Sequence, residues 1–255
     1  MHIDSLYCYP VKGLSPQKLD SAQLEANGYF PGDRQFALEN GPSGFDAAAP
    51  VHQPKIKFLM LMRNARLASL ETRYDDLHGI LTISCEGKEA VKGNLGSEAG
   101  RLAIEAFFDD FCAQELRGAV RLLKAQRGFR FTDSKSGFVS FGNLASIRAI
   151  GGVIGQKVDP LRFRANIYLE GLEPWSEFAL VGKQLCVGNA RLEVLKRIDR
   201  CAATGVEPGS GKRDMDLVEA LRANFGHIDC GVYAKVIRGG MLRPADAVTI
   251  GTRSL

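Results

Sequence analysis

Read as apolar and polar positions, the chain begins in short alternating runs and turns to helical stripes further on. The opening segment IDSLYCYPVKGL reads as a strand broken by Pro10, and GDRQFAL, after the Pro31-Gly32 turn, reads as a second strand. The stretch Lys57 to Leu70 (KFLMLMRNARLASL) alternates in part, and LTISC around Ile83 alternates again. Residues 1–96 therefore read as a β-rich unit. Near Ser97 the period changes. The run EAGRLAIEAFFDDFCAQEL sets Leu102, Ile104, Ala106, Phe107 and Phe111 at roughly helical spacing with charges between them.

A second helix is predicted from Asn143 to Ile154, with Leu144, Ile147 and Ile150 on one face, although its glycines lower the local propensity. A third is predicted from Met215 to Phe225. There Leu217, Val218, Leu221 and Phe225 form the stripe, Asp214 is the expected cap and Gly226 the expected stop. Strands are expected at ANIYLEG, FALVG, QLCVG, ARLEVLKRI and GVYAKVI, with a short one at Val248 and Ile250. No internal repeat is visible. The expected fold is α+β, predominantly β: two barrel-like units, 1–96 and 97–255, with a few flanking helices.

Composition narrows the function classes. A chain of 255 residues that is 45% hydrophobic can bury a core, and 24% charged residues is ordinary for a folded protein, which excludes a disordered one. The net charge of +4 comes without a run of Lys and Arg. That favours an anionic small molecule over a nucleic-acid polymer as the ligand. The N-terminus MHIDSLYCYPVKGL has no apolar signal run, and the apolar cluster FLMLM stops at Arg63, far short of a membrane span. A cytoplasmic, reducing location is expected. The six cysteines (Cys8, Cys85, Cys112, Cys186, Cys201 and Cys230) form no CxxC pair, so free and mostly buried thiols are expected rather than disulfides or a zinc site.

Cys201 stands apart from the other five. It falls where an alternating run ends and the Gly-rich loop AATGVEPGSGKR begins, with Lys196, Arg197 and Arg200 close by. Positive charge favours the thiolate, the form that attacks or binds metal, whereas the bland reading is a buried structural thiol. The loop is not a phosphate cradle of the Walker type. Five residues separate Gly205 from Gly211, and Arg213 follows Lys212 where Ser or Thr would be needed. A flexible, solvated loop is expected from Pro208 to Arg213. The histidines (His2, His52, His78 and His227) are too scattered for HxH or HExxH, and neither GxSxG nor GxGxxG occurs. His227 is expected as a cap or surface residue, Trp175 as packing, and Asp133 as a turn residue or an acid–base group. Lys12, Arg34, Arg164 and Asn166 sit on turns. Singly each reads as a surface residue; with Cys201 they suggest an anion pocket.

Taken in order, YPVKGL, GDRQFAL, FVSFGNLASI, DPLRFRANIYLEG, PWSEF, RCAATGVEPGSG and FGHIDCGVYAKVI resemble the MOSC superfamily, named for the C-terminal domain of molybdenum cofactor sulfurases. The resemblance covers nearly the whole chain. It implies an N-terminal MOSC β-barrel domain followed by a MOSC domain, with the cysteine of the RCxxT stretch, Cys201, as molybdenum ligand and catalytic residue. It further implies molybdenum cofactor (Mo-molybdopterin) binding by Lys12, Gly13, Arg34, Arg164, Asn166 and Arg200, and by the turn Ser140, Gly142 and Asn143. A soft thiolate suits a metal already held by dithiolene sulfurs. Departures from the family pattern are Gly13 where Ser often follows the Lys, Phe141-Gly142 where some relatives have Thr-Ser, and Ala165 where Pro is common.

The activity implied is reduction of small N-hydroxylated compounds, as in the amidoxime-reducing members, by oxygen-atom transfer to molybdenum. The ferredoxin tail of some relatives and the pyridoxal-phosphate desulfurase domain of the sulfurases are not expected here. No iron–sulfur cluster and no pyridoxal phosphate are therefore expected in this chain, and electrons must come from a separate flavin or iron–sulfur reductase. Two non-enzymatic alternatives remain: a molybdenum cofactor carrier, and a sulfur-transfer or anion-binding module with a persulfide on Cys201. No nucleic-acid or membrane partner is expected.

Overall fold

The computed structural model describes residues 1–136 and 138–251. In chain order its strands are β1 (His2–Cys8), β2 (Gln17–Leu19), β3 (Ala22–Leu24), β4 (Phe36–Asn40), β5 (Leu70–Asp75), β6 (Ile80–Cys85), β7 (Lys88–Asn94), β8 (Val120–Lys124), β9 (Val139–Asn143), β10 (Ile167–Glu170), β11 (Gln184–Val187), β12 (Ala190–Asp199), β13 (Asp229–Arg238), β14 (Gly240–Leu242) and β15 (Thr249–Gly251). The helices are α1 (Glu98–Phe111), α2 (Leu144–Ile154) and α3 (Leu217–Phe225). The fold is α+β and predominantly β, as the periodicity predicts.

A curled eight-stranded sheet in the order β15-β11-β12-β13-β9-β10-β1-β2 dominates the C-terminal half. Its β9–β10 pair is parallel and every other pair antiparallel. The pattern that predicts β12 explains its place: Ala190, Leu192 and Val194 alternate into a core with Val232, Ala234, Phe141 and Ile3. The first strand of the chain, β1, completes this sheet by pairing with β10. A second cluster holds α2 and α3 against Tyr168, Phe163 and Cys230.

The N-terminal half wraps its own core. The β5-β6-β7 meander and the β4–β8 ladder surround Leu38, Leu81, Ile83 and Leu122. Helix α1 starts at Ser97, whose side chain accepts from Gly100 N, and buries Ile104 and Phe108 in that same cluster. The core of the N-terminal strands thus extends past residue 97, into a helix that the change of period groups with the second unit.

Three sequence expectations give way to local hydrogen bonding. Between Lys57 and Ser69 no strand forms: Asn64 Oδ1 accepts from Met60 N (3.1 Å) and Leu67 N bonds Asn64 O (3.1 Å), folding the segment into turns and the 3-10 helix Ala65–Ser69, and strand begins only at Leu70. The run FALVG is likewise part of a 3-10 helix, Ser176–Leu180, entered through left-handed Trp175 (φ 66°). Glu177 is pulled inside there by Asn143 Nδ2 and Ser146 Oγ, each 2.8 Å away. Asp214 does not cap α3, because it makes a two-pronged pair with Arg162 (2.8 and 2.6 Å); Asp216 caps instead, accepting from Glu219 N.

Candidate functional site

A cavity of about 460 Å³ opens where the concave sheet faces the N-terminal half. Its floor follows from strand register. Lys196 on β12 lies opposite Tyr233 on β13, which lies opposite Ser140 on β9. Ser140 Oγ then donates to Asn166 Oδ1 (2.8 Å) and accepts from Asn166 N (3.0 Å), while Asn166 Nδ2 reaches Tyr7 O (3.2 Å). Four residues distant in sequence thus form one row, and all of them line the cavity.

The deep wall is cationic. Lys12 Nζ is buried, donates to Phe131 O (3.0 Å) and pairs with Asp133. Burial holds the ammonium below its ordinary pKa against the pull of Asp133. Burial also opposes ionisation of Asp133, but Lys12, Arg34 and Lys55 hold its carboxyl well below the usual range. Asp133 is therefore a fixed charge rather than a poised acid or base. Arg34 pairs with Asp33, whose Oδ1 also accepts from Tyr9 N (2.9 Å).

Arg34 and Arg164 flank one buried ring, with guanidinium carbons 5.0 and 4.2 Å from the Tyr9 centroid. Both arginines are left-handed (φ 46° and 52°), a conformation that costs free energy without glycine and concentrates at functional sites. Arg164 Nη2 is buried without a hydrogen-bond partner. Burial, reinforced by the like charge of Arg34 and only partly offset by Tyr9, lowers the Arg164 pKa to about 10. A buried cation with a spare donor is where an anion gains most.

Cys201 closes the opposite side. Strand β12 ends at Asp199, and Cys201 opens the 3-10 helix Ala202–Gly205, its carbonyl accepting from Thr204 N and Oγ, each at 3.0 Å. Lys55, from the N-terminal half, comes to the thiol. Burial works against its ammonium, but the charges of Cys201 and Asp133 and a hydrogen bond with Cys201 hold its pKa above the ordinary value. Cys8, Cys112 and Cys230 are buried thiols pushed up to about 12, 11 and 12 by desolvation first of all, so they are inert packing groups. Among the cysteines, only Cys201 lines the cavity. All six thiols are free.

Of the residues singled out in the sequence, Lys12, Gly13, Arg34, Ser140, Arg164, Asn166, Arg200 and Cys201 come together around this cavity. Arg200 is held by backbone, with Nε on Cys230 O (2.8 Å) and Nη1 on Phe163 O (2.7 Å). Gly142 and Asn143 do not line it. Asn143 is fully buried, caps α2 through Ala145 N (3.0 Å) and donates to Glu173 O and Glu177 Oε2, so no donor is left over. Gly142 is needed for packing: a Cβ there would meet the Tyr168 ring at 2.9 Å. His227 is enclosed by Trp175, Phe178 and Phe225. Lys55, His52, Tyr233 and the Met60–Met62 turn join the lining without a sequence signal that marks them.

Among the described residues no three His, Cys, Asp or Glu side chains group as metal ligands. No described helix is long and apolar enough to cross a membrane.

Among curated proteins, the chain is 33% identical over 248 residues to a Caenorhabditis elegans protein named molybdenum cofactor sulfurase, covering 91% of this chain and 33% of that one. The Caenorhabditis briggsae protein of the same name is 32% identical over 258 residues, covering 97% of this chain and 35% of its relative. The chain thus spans about a third of the length of these relatives. Among solved structures it resembles the YUAD protein from Bacillus subtilis at 12% identity (97% and 93% coverage, TM-score 0.45) and YiiM from Geobacillus stearothermophilus at 18% (46% and 55%, TM-score 0.38), scores too low to bear on function. Residues 1–115 match the MOSC N-terminal β-barrel domain and residues 130–249 the MOSC domain, which together take in nearly the whole chain. With these two domain matches side by side and relatives above 30% identity along nearly its full length, the chain belongs to the MOSC superfamily.

Proposed function

We propose that this cavity binds the molybdenum cofactor, with Cys201 as the protein's ligand to the metal, and that the chain reduces N-hydroxylated compounds. The observation that carries the first part is the pairing of one half-exposed thiol with a cationic wall whose Arg164 keeps a buried, unused donor. That donor set fits a metal delivered on an anionic organic carrier: one soft ligand from the protein, and guanidinium and ammonium groups for a phosphate. The relatives' name, molybdenum cofactor sulfurase, points to the same group.

The residues divide the work. Lys12, Arg34 and Arg164 supply fixed positive charge for the phosphate, with Asp33 and Asp133 holding two of them in place. Ser140 and Asn166 satisfy one another and so present a rigid floor. Lys55 holds positive charge beside Cys201 and hydrogen-bonds its side chain. When bound, the cofactor would supply two-electron oxygen-atom chemistry, converting N–OH with two electrons and two protons to N–H and water. The electrons come from a separate flavin or iron–sulfur reductase.

The test is metal and pterin analysis of protein made in a host that synthesises the cofactor. Near-stoichiometric molybdenum is expected in the wild type, and Cys201→Ser should lose most of it. Absence of both molybdenum and pterin from the wild type would overturn the proposal. Loaded protein with an electron donor should then reduce benzamidoxime or hydroxylaminopurine. The name shared by the relatives favours a second reading, a carrier that hands on the cofactor or its sulfur. Release of cofactor to an apo-enzyme, without turnover of any N-hydroxylated substrate, would decide for it.

A further inference from the structure

The loop after Cys201 is solvated, as its Gly-rich sequence predicts, but it is not free. Val206 and Arg213 form a β-bridge that closes residues 207–212 into a small hairpin. Gly209 N donates to Ala68 O (2.8 Å), and Gly211, left-handed at φ +72°, lies so close that a Cβ would meet Ala65 O at 2.8 Å. The hairpin is therefore docked on the turn that carries the N-terminal wall of the cavity.

One side chain joins the pieces. Arg213 Nη1 donates to Ala202 O (3.0 Å), next to Cys201, while Nη2 donates to Leu61 O (3.1 Å) and Met62 O (2.7 Å). Leu61 and Met62 line the cavity; Arg213 does not. A guanidinium presents its donors as a rigid planar fork, so it fixes the spacing of the carbonyls that it bridges, which a single ammonium does not. Arg213 is itself exposed, so its loss leaves no buried orphan charge.

We infer that Arg213 is a positioning residue for Cys201: it clamps the Cys201 segment to the Leu61–Met62 wall and so sets where the thiol stands in the cavity. The importance of that role rests on the proposed function of Cys201, but the test does not. It is the site-resolved rate of alkylation of Cys201 by iodoacetamide, followed by mass spectrometry. Cys85 and Cys186, also half-buried, serve as internal standards. Arg213→Ala should raise the Cys201 rate about tenfold relative to both, the factor that matches loss of one net charge-assisted hydrogen bond.

Gly211→Ala attacks the same clamp from the other side, by driving a methyl into Ala65 O, and should raise the rate with Arg213 intact. Arg213→Lys should resemble Arg213→Ala, because charge without the fork cannot bridge three carbonyls. In loaded protein, Arg213→Ala should also release molybdenum faster than wild type. Unchanged Cys201 reactivity in both Arg213→Ala and Gly211→Ala, or full restoration by Arg213→Lys, would overturn the inference. Wild-type protein without molybdenum would sink the proposed function while leaving the alkylation result to stand by itself.

Discussion

The two walls of the cavity are built on different principles. The sheet wall takes its residues from register: Lys196, Tyr233 and Ser140 are neighbours because two antiparallel ladders put them opposite one another. The other wall, around Lys55 and Met60–Met62, has no ladder to fix it and depends on single side chains such as Asn64 and Arg213. Register spreads the work over many backbone hydrogen bonds and a shared core. A turn held by one amide or one guanidinium concentrates it. The rigid wall carries the floor of the cavity, and the turn wall carries the contacts around Cys201. The half of the site that faces the thiol is therefore the half a single substitution can move.

Breaking the sheet wall should have the largest cost. Gly231 on β13 sits at φ +82°, and a Cβ there would lie 2.3 Å from Phe141 O. Gly231→Ala should therefore destabilise the protein by about 3 kcal/mol or more, from strain and a broken β9–β13 contact, as read by urea unfolding. The second test strikes the turn wall. Asn64 is buried, accepts from Met60 N (3.1 Å) and donates to Glu115 Oε2 (2.6 Å). Asn64→Ala should cost about 2 kcal/mol, because a buried N–H and a carboxylate each lose a partner. A cost equal to that of Gly231→Ala, with no change at Lys55 or Met60, would erase the contrast between the walls.

The smallest effect is expected at the contact that joins the halves. Lys12→Met removes a buried ammonium together with its desolvation cost, and Asp133 keeps the charges of Arg34 and Lys55 beside it, so the net change at pH 7 should be under about 1 kcal/mol. Its signature is in the pH dependence. The folded-state pKa of Asp133 lies below the unfolded value of about 3.9, so its contribution is present above that pH and is lost as pH falls toward the folded value. Lys12→Met should flatten the stability curve between about pH 4 and lower pH, where the wild type loses stability. Equal acid slopes in the two proteins would show that the Lys12–Asp133 pair does not link the halves.

Much of the fold is legible in apolar spacing. The alternation of ARLEVLKRI and GVYAKVI and the helical stripes ending at Phe111 and Phe225 need no partner to be read, since one buried face imposes its period on the sequence. The readings that fail are those where a polar side chain overrides the apolar pattern. Asn64 folds an apparent strand into turns, and Glu177, drawn inward by Asn143 and Ser146, does the same to FALVG. Apolar alternation does not report where a buried hydrogen bond will form.

For the site, the chain by itself determined which residue types were available: a cysteine at a basic strand end, and Lys12, Arg34, Arg164 and Asn166 on turns, in an order that marks the family. Only the tertiary structure decided that Cys201 meets Lys55, that Lys12 meets Asp133 across 121 positions, and that Arg34 and Arg164 share the ring of Tyr9. It also removed Gly142 and Asn143 from the cavity and replaced a free loop with the Arg213 clamp. The reason is one of range. Periodicity and turn chemistry act over a few residues, whereas a binding cavity is made by register and docking between segments that meet only once the chain has folded.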